Sequence, residues 1–302
     1  MLITGCRNSD ATALKCLSLN ARSIINKIDA FTATVCVLDP DIIGVTESWS
    51  SADILDSELS LPGYVLYRCD RPSDHNGGGV LLYVKDYLKP QEYEPQINFP
   101  EHIWCKIKGK NGTDLTVGVC YQSNNASIYP DGNHKLLREL LYKTSSQHVL
   151  ILGDFNYKEI DWNPVGPVPG TADCEAFVDC LEDNFYIQHV TVPTRDNSVL
   201  DLIISNDPEL VSDVQVLNPL ATSDHNMLMC CVSMDVNKSI DNKVRYDYNK
   251  ADFDGIRKEL DQINWNRLLE GDIHKSWKNF KEVLSLLESK YVPVKKPRQN
   301  KK

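Results

Sequence analysis

Polar side chains follow an apolar run at residues 149–156, whose sequence is VLILGDFN. Alternation along an extended chain places Asp154 and Asn156 on the same face. A carboxylate and a carboxamide in this arrangement can orient a water molecule and a phosphate oxygen together. Because Asp and Asn also favour turns, this segment alone leaves both a catalytic site and a plain turn open.

A second chemical signal is the segment TSDH at residues 222–225. Asp224 and His225 are neighbours and offer a metal ligand or base beside a possible acid. An isolated Asp-His pair is more often found at the surface, so a site here requires an orienting carboxylate from elsewhere. Asp201 is the candidate, because a carboxylate inside the apolar run 199–204 needs a partner such as an imidazole or a metal.

Three more apolar runs end in a polar side chain, and these are Asn20, Glu47 and Tyr121. Five or six predicted strands therefore each present one polar group at a terminus. Turn propensity explains this pattern poorly, because turns are rich in Gly, Asn and Asp and do not select a Glu, a Tyr and a His. The pattern favours one site assembled at the ends of several strands.

Short strands and helices must position these groups. Runs rich in β-branched and aromatic residues predict strands at 14–19, 42–45, 64–67, 79–84, 103–107, 115–121, 149–152, 200–204 and 227–234. Apolar residues at helical spacing predict helices at 24–38, 133–144 and 172–184. Turn signals at 77–79, 110–113 and 206–208 indicate antiparallel hairpins among the strands. Together these elements predict an α/β fold with a mixed sheet.

The composition is that of a globular, enzyme-sized chain, with 302 residues, 42% apolar and 25% charged. The sequence contains neither a long uncharged apolar window nor a basic, apolar leader, so we expect an intracellular protein, nuclear or cytoplasmic, that is not secreted. The ten cysteines form no CxxC pair. They are predicted to pack as small apolar side chains in a reducing compartment.

Charge is distributed unevenly along the chain. Residues 1–239 contain 17 Lys and Arg against 32 Asp and Glu, whereas residues 240–302 contain 15 against 10. We predict a leader at 1–12, a catalytic domain at 13–236, and a connector at 237–302 with helices at 251–263 and 274–291. The basic segment 295–302 is either a solvated tail or a flexible arm that attracts DNA phosphates.

The order of Asn20, Glu47, Tyr121, GDFN at 153–156, Asp201 and SDH at 223–225 resembles the endonuclease/exonuclease/phosphatase family over roughly residues 13–236. The phrases SLNARSI, PDIIGVTESW, GGGVLLYVK, LILGDFN, PTRDNSVLDLII and SDHNML are most similar to the endonuclease domain of non-LTR retrotransposons, particularly the chicken-repeat-like clade. Residues 245–294 are similar to the connector that precedes reverse transcriptase in those elements. No segment of the chain resembles the reverse transcriptase itself.

This resemblance implies a four-layered sandwich of two mixed sheets flanked by helices, with the site at one edge. It implies that Glu47 binds Mg²⁺ or Mn²⁺, hard cations that prefer oxygen ligands. Asn20 and Asp224 would complete or support the metal shell. The abasic-site branch of the family often has an acidic residue at the position of Arg22, so this arginine disfavours an abasic-site repair enzyme.

The resemblance also implies how the remaining groups divide the reaction. Asp154 would orient or deprotonate the attacking water, while Asn156 and Tyr121 would bind the scissile phosphate. His225, held in one tautomer by Asp201, would donate a hydrogen bond or proton as charge develops. The resemblance places a further residue, Thr194, near the DNA phosphates.

The sequence therefore predicts a metal-dependent phosphodiesterase, and first of all a DNA-nicking endonuclease. Two alternatives remain open, a phosphatase or phospholipase of the same family and a catalytically silent module that binds nucleic acid. The predicted partner is DNA, with element RNA or a reverse transcriptase encoded elsewhere as further candidates. No membrane partner is predicted, because no amphipathic lipid anchor is present.

Overall fold

The chain divides into two compact units, Met1–Ser239 and Ile240–Lys302. The computed structural model describes residues 13–71, 77–123, 133–145, 147–163, 165–236 and 247–294. The predicted leader, the domain boundary near 237–243 and the basic tail at 295–302 lie outside the described residues. These three features therefore stay predictions.

Strands predominate in the described part of the first unit, with α-helices between some of them. Its described strands are β1 (Ala13–Asn20), β2 (Ile42–Thr46), β3 (Tyr64–Cys69), β4 (Val80–Lys85), β5 (Gln91–Glu92), β6 (His102–Ile107), β7 (Leu115–Tyr121), β8 (Val149–Asp154), β9 (Ile160–Asn163), β10 (Gly166–Pro169), β11 (Ile187–Gln188), β12 (Asp201–Ser205), β13 (Val211–Leu217) and β14 (Met227–Ser233). Its α-helices are α1 (Ile28–Leu38), α2 (Asp56–Leu59), α3 (His134–Thr144) and α4 (Ala172–Asp183). All nine predicted strands form, each with ends within two residues of the prediction.

Two six-stranded mixed sheets form the body of this unit. Their strand orders are β13-β14-β1-β2-β4-β3 and β11-β12-β8-β7-β6-β5, and β9 and β10 form a separate hairpin. Each sheet has a parallel pair at its centre, β1 with β2 and β7 with β8, and antiparallel strands on either side. Helix α1 or α3 connects each pair, because parallel neighbours require a long crossover. The predicted sandwich of two mixed sheets is confirmed.

Helices and sheets pack in layers, so the central strands are buried on both faces. Phe31 of α1 contacts Tyr83 of β4, with ring centroids 5.6 Å apart. Between the sheets, Gly44 of β2 permits a close approach, since a Cβ atom there would lie 3.0 Å from Cδ1 of Leu152 and 3.1 Å from Cγ2 of Val119. Buried free cysteines contribute to the packing as small apolar side chains, namely Cys16, Cys105, Cys120, Cys174 and Cys230.

Strand β13 was missed by the sequence patterns because it is a partly exposed edge strand. Its pairing with β14 shifts register between Ser212 and Gln215, where Asp213 adopts a left-handed φ of 51°. The predicted turns at 77–79 and 110–113 do join antiparallel neighbours. The turn at 206–208 instead carries the chain from β12 in one sheet to β13 in the other.

The second unit is helical in its described part, with α5 (Phe253–Gln262), α6 (Trp265–Leu268) and α7 (Ile273–Tyr291). The predictions at 251–263 and 274–291 are confirmed, whereas the short α6 was not predicted. The rings of Trp265 and Trp277 both contact Phe280, with centroids 5.9 and 5.6 Å away. None of the described helices combines the length and the apolar character needed to cross a bilayer.

Replacement of Gly44 by valine tests the close approach of the two sheets. The added methyl groups would collide with Leu152 and Val119, so we expect a loss of about 1–3 kcal/mol in the free energy of unfolding. Thermal denaturation followed by circular dichroism would measure it, with Gly44→Ala as the smaller matched change. A Gly44→Val variant that melts with the wild type would contradict this packing.

Candidate active site

The sheet topology brings the predicted polar groups to one edge of the sandwich. The central parallel strands end at this edge with Asn20, with Glu47 directly after β2, with Tyr121 and with Asp154. A strand that runs antiparallel to its neighbour begins at the edge where that neighbour ends. Asp201 at the start of β12 therefore pairs with Asp154 at the end of β8. His225 precedes β14, which runs antiparallel to β1. Strand direction therefore explains why these groups meet.

Glycine at position 153 allows β8 to deliver Asp154 to this edge. Gly153 has a φ of +148°, and a Cβ atom there would lie 1.8 Å from the carbonyl oxygen of Cys120 on β7. Only glycine fits this approach. Beyond it, the backbone N–H of Asn156 donates to Oδ1 of Asp154 at 3.1 Å, and its Nδ2 donates to the carbonyl of Gln122 at 2.8 Å. The segment is thus a turn that also orients both predicted side chains.

Asp154 lies at the centre of a buried hydrogen-bonded cluster. Nδ2 of Asn20 donates to Oδ2 of Asp154 at 2.9 Å. Nε2 of His225 lies 4.0 Å from the same oxygen, and Nδ1 of His225 lies 2.7 Å from Oδ2 of Asp201. Asp154, Asp201 and His225 are each 1% exposed. The hydroxyl of Ser223 donates to the carbonyl of Asn20 at 2.8 Å, which ties the segment before His225 to β1.

Burial and neighbouring charge change the protonation of this cluster. Burial, followed by the charge of Asp201, raises the pKa of Asp154 to about 8, while His225 and Asn20 lower it by less. For His225, burial lowers the pKa, but the hydrogen bond and charge of Asp201 outweigh it and raise the pKa overall. Asp154 can therefore exchange a proton near neutral pH. The imidazole of His225 beside it favours the ionised form of this carboxyl.

The Glu47 carboxylate is oriented by three side chains. Its Oε1 accepts a hydrogen bond from the hydroxyl of Tyr121 at 2.8 Å and lies 3.5 Å from Nδ2 of Asn20. Its Oε2 accepts from the indole Nε1 of Trp49 at 3.0 Å. Burial raises the pKa of Tyr121, with a further contribution from the charge of Glu47, so its phenol stays a proton donor. The sequence analysis did not predict a role for Trp49. Its position in the phrase TESW, close to Glu47, was the signal that could have identified it.

The donor set suits a hard divalent cation, because Glu47, Asp154 and Asp201 concentrate negative charge that a cation would offset. Ligand atoms of Asp154, Asp201 and His225 lie within 4.8 Å of one another. Nδ1 of His225 and Oδ2 of Asp201 are already hydrogen-bonded to each other at 2.7 Å. Glu47 is only partly buried and leaves room for the water molecules that Mg²⁺ retains. Glu47 is therefore a second group at this edge that could hold a cation.

Asp224 lies in a different environment from Glu47. Its Oδ2 contacts Nη1 of Arg22 at 2.5 Å and Nη2 of Arg195 at 2.8 Å. Two guanidinium groups offset the charge that a metal ligand would contribute, so the structure gives no support to the predicted ligand role. Sequence reasoning missed both arginines as partners, because they come from separate parts of the chain and Arg22 lies 202 positions from Asp224.

Thr194 is buried against the start of β12. Its hydroxyl accepts hydrogen bonds from the backbone N–H groups of Leu200 and Asp201, both at 3.1 Å. Its side chain is inaccessible to solvent. The structure therefore places Thr194 where it holds the backbone of Asp201. Its predicted position near DNA phosphates stays a prediction.

Comparison with known proteins gives the family of this fold and site. The model of the Endonuclease/Exonuclease/phosphatase family matches residues 5–225. The chain belongs to this family. No curated protein sequence matches the chain.

Solved structures of the endonuclease/exonuclease/phosphatase fold resemble this chain. AP endonuclease LMAP from Leishmania major has a TM-score of 0.61 and 15% identity, covering 74% of this chain and 88% of its own. The endonuclease domain of TRAS1, a telomere-specific non-LTR retrotransposon, has a TM-score of 0.56 and 14% identity, covering 74% and 99%. A variant of the 3′ phosphatase NExo from Neisseria, bound to product DNA hairpin, has a TM-score of 0.57 and 15% identity, covering 72% and 98%. At these identities the likeness concerns the fold.

Asp154→Asn should stabilise this endonuclease/exonuclease/phosphatase domain in chelator at pH 8, because it removes a buried charge repelled by Asp201. The wild-type carboxyl is protonated in both states below its unfolded pKa of about 4. As pH rises from there toward the folded pKa of about 8, the unfolded protein loses this proton more readily than the folded protein, so the free energy of unfolding of the wild type falls. The gain in melting temperature should therefore grow from pH 5 to pH 8, by about 2–4 °C for each kcal/mol.

The exposed Asp179 provides a matched control, since Asp179→Asn removes the same charge without relieving burial. Melting curves of both variants at pH 5, 6.5 and 8 would make the comparison. A gain for Asp154→Asn that is as large at pH 5 as at pH 8 would contradict the electrostatic explanation.

Proposed function

We propose that this chain is a divalent-metal-dependent DNA endonuclease that nicks one strand. The observation that carries the proposal is the buried carboxylate of Asp154, which contacts Asn20 and lies beside the His225–Asp201 pair. Burial and the charge of Asp201 raise the pKa of this carboxyl to about 8, which makes its ionised form a stronger base toward water than an ordinary carboxylate. Few structural roles would require such an acid in the core, because burial of its charge is costly.

The proposed reaction is attack of water on phosphorus opposite the 3′ oxygen. The bond between phosphorus and the 3′ oxygen breaks, the 3′ oxygen takes up a proton from solvent to become a 3′-hydroxyl, and a 5′-phosphate is left on the other product end. Asp154 takes the proton of the attacking water while Asn20 fixes the carboxylate by its hydrogen bond of 2.9 Å. A divalent cation held by Glu47 would, when bound, polarise a phosphoryl oxygen. Tyr121 keeps Glu47 in position for this by its hydrogen bond of 2.8 Å.

His225 is proposed to stabilise the charge that develops on the phosphate. Asp201 accepts the hydrogen of Nδ1, so Nε2 is the ring atom left to face the reaction. The hydrogen bond and charge of Asp201 raise the pKa of His225, which favours the protonated ring that can donate from Nε2. Asn156, fixed through its hydrogen bond to the carbonyl of Gln122, is proposed to bind the same phosphate.

DNA is the proposed substrate, with Mg²⁺ or Mn²⁺ as the cation. Support comes from the retrotransposon endonuclease and the DNA-bound NExo among the structural relatives. The phrases shared with non-LTR retrotransposons further suggest an origin in such an element, with element RNA or a reverse transcriptase as a second partner.

Supercoiled plasmid tests the proposal directly. Wild-type protein with Mg²⁺ should convert it to nicked circle, and chelator should stop the conversion. Asp154→Ala/His225→Ala should lower the rate by about 10²–10⁴-fold or more, because it removes both proton-handling groups. Asp179→Ala, at an exposed position, is the matched control and should leave the rate unchanged.

Equal nicking by wild type and the double variant would contradict the nuclease proposal. Faster hydrolysis of sphingomyelin or inositol phosphates than of plasmid would favour the phosphatase or phospholipase alternative. If neither reaction is catalysed while DNA still binds, the silent binding module is the better explanation.

Deletion of residues 295–302 tests whether the basic tail binds DNA. This segment contains Lys295, Lys296, Arg298, Lys301 and Lys302, which would offset repulsion between DNA and the acidic part of the chain. Deletion should weaken binding at low salt and reduce the slope of log K against log salt by roughly 0.9 for each phosphate that the tail neutralises. Turnover at saturating DNA should stay the same. An unchanged slope would identify a merely solvated tail.

A further inference from the structure

Trp49 presents a large exposed aromatic ring beside the proposed cation ligand. The residue is 44% exposed, although its indole Nε1 is held by Oε2 of Glu47 at 3.0 Å. The other carboxylate oxygen, Oε1, contacts Tyr121 and Asn20 on the buried side. The ring therefore lies on the solvent side of Glu47, open to a ligand that binds at this carboxylate. No step of the proposed reaction uses it.

The backbone around Trp49 is held in a conformation that bulky residues rarely adopt. Glu47 has a φ of 48° and Trp49 a φ of 55°, both in the left-handed region. Such conformations are strained and persist where the surroundings enforce them, often at ligand-binding sites. Here the N–H of Ser48 donates to the carbonyl of Gly79 at 3.1 Å, and that of Trp49 to Gly78 at 2.9 Å.

A buried ion pair fixes these glycines in turn. Nη2 of Arg71 lies 2.8 Å from Oε2 of Glu101, with side chains 4% and 1% exposed. Oε1 of Glu101 also accepts the backbone N–H of Gly79 at 2.8 Å. A Cβ atom at Gly78 would lie 2.2 Å from Oε1 of Glu101, so the run GGG lets the loop pack against the pair. Trp49 is thereby preorganised, which lowers the entropic cost of binding through its ring.

We propose that Trp49 is a stacking site for an unpaired nucleobase next to the scissile phosphate. This inference rests on the proposed nuclease function and specifies its substrate as DNA with an unstacked base at the cleavage site. An aromatic ring stacks on any base, because every base has a π-face. Bases inside an intact duplex already stack on their neighbours, so only an unpaired or extruded base can reach the ring.

Two substitutions separate the ring of Trp49 from its hydrogen bond to Glu47. Trp49→Phe keeps an aromatic ring and removes the N–H donor, whereas Trp49→Gln keeps an N–H donor and removes the ring. Trp277→Gln is the matched control, because Trp277 on α7 is 46% exposed and far from Glu47 in sequence. Trp49→Leu is a second variant without a ring, should Trp49→Gln fail to fold.

Equilibrium binding provides a readout that does not depend on turnover. The probes are two labelled DNA hairpins, one fully paired and one with a single bulged base, measured by fluorescence anisotropy with Ca²⁺ and checked on gels for intact DNA. Wild type should prefer the bulged hairpin. Trp49→Gln and Trp49→Leu should weaken binding of the bulged hairpin by roughly 5- to 100-fold and lose the preference. Trp49→Phe and Trp277→Gln should retain it.

Equal weakening by Trp49→Phe and Trp49→Gln would overturn the inference, because the effect would then act through the hydrogen bond to Glu47. So would a wild-type preference that survives in Trp49→Gln and Trp49→Leu. Loss of vesicle binding in Trp49→Gln, on sphingomyelin vesicles and without any change toward DNA, would assign the ring to a lipid surface instead. Plasmid nicking that remains while the bulge preference is absent refutes only this inference, whereas absent nicking and absent DNA binding refute the nuclease proposal as well.

Discussion

The buried carboxylate of Asp154 is the group on which the arrangement of the site depends. A carboxylate that is 1% exposed, with a second carboxylate at Asp201 opposite it in the sheet, is destabilising unless its surroundings supply hydrogen bonds and opposite charge. Asn20 supplies the hydrogen bond, and His225 supplies opposite charge when its ring is protonated. Each partner comes from a different strand or strand end, so the site exists only when both sheets are packed together.

Equivalent strand arrangements in the two sheets explain why these partners meet. Each sheet has a parallel pair at its centre, and the carboxyl ends of both pairs lie at the same edge of the sandwich. Glycines permit the close approaches on which this depends. Gly44 lets β2 pack on Leu152, and Gly153 lets β8 lie against the carbonyl of Cys120. Packing and catalysis are therefore linked, because a side chain at either glycine would displace the strands that carry the reactive groups.

The loop that contains Glu47 is held in place by different interactions from those in the rest of the site. Its left-handed residues would relax in isolation, and they are held by backbone hydrogen bonds to the glycine run and by the buried pair of Arg71 and Glu101. Asp224 lies in a different electrostatic environment. Two arginines neutralise this carboxylate, which the sequence analysis had grouped with the metal ligands. Two carboxylates that the sequence had assigned to one metal site thus lie in different surroundings.

The sequence by itself determined the strands, the main helices and the residues at the strand ends, because alternation and helical spacing record which face of an element is buried. These patterns predicted an α/β fold with a mixed sheet, and the resemblance to the endonuclease/exonuclease/phosphatase family added the sandwich and the roles of most side chains that surround Asp154. Only the tertiary structure decided which of these groups touch. The contact between Asn20 and Asp154 joins residues 134 positions apart, and no local pattern records such a distance. Thr194 and Trp49 acquired their positions from register, loop geometry and packing between elements, which depend on the whole chain at once.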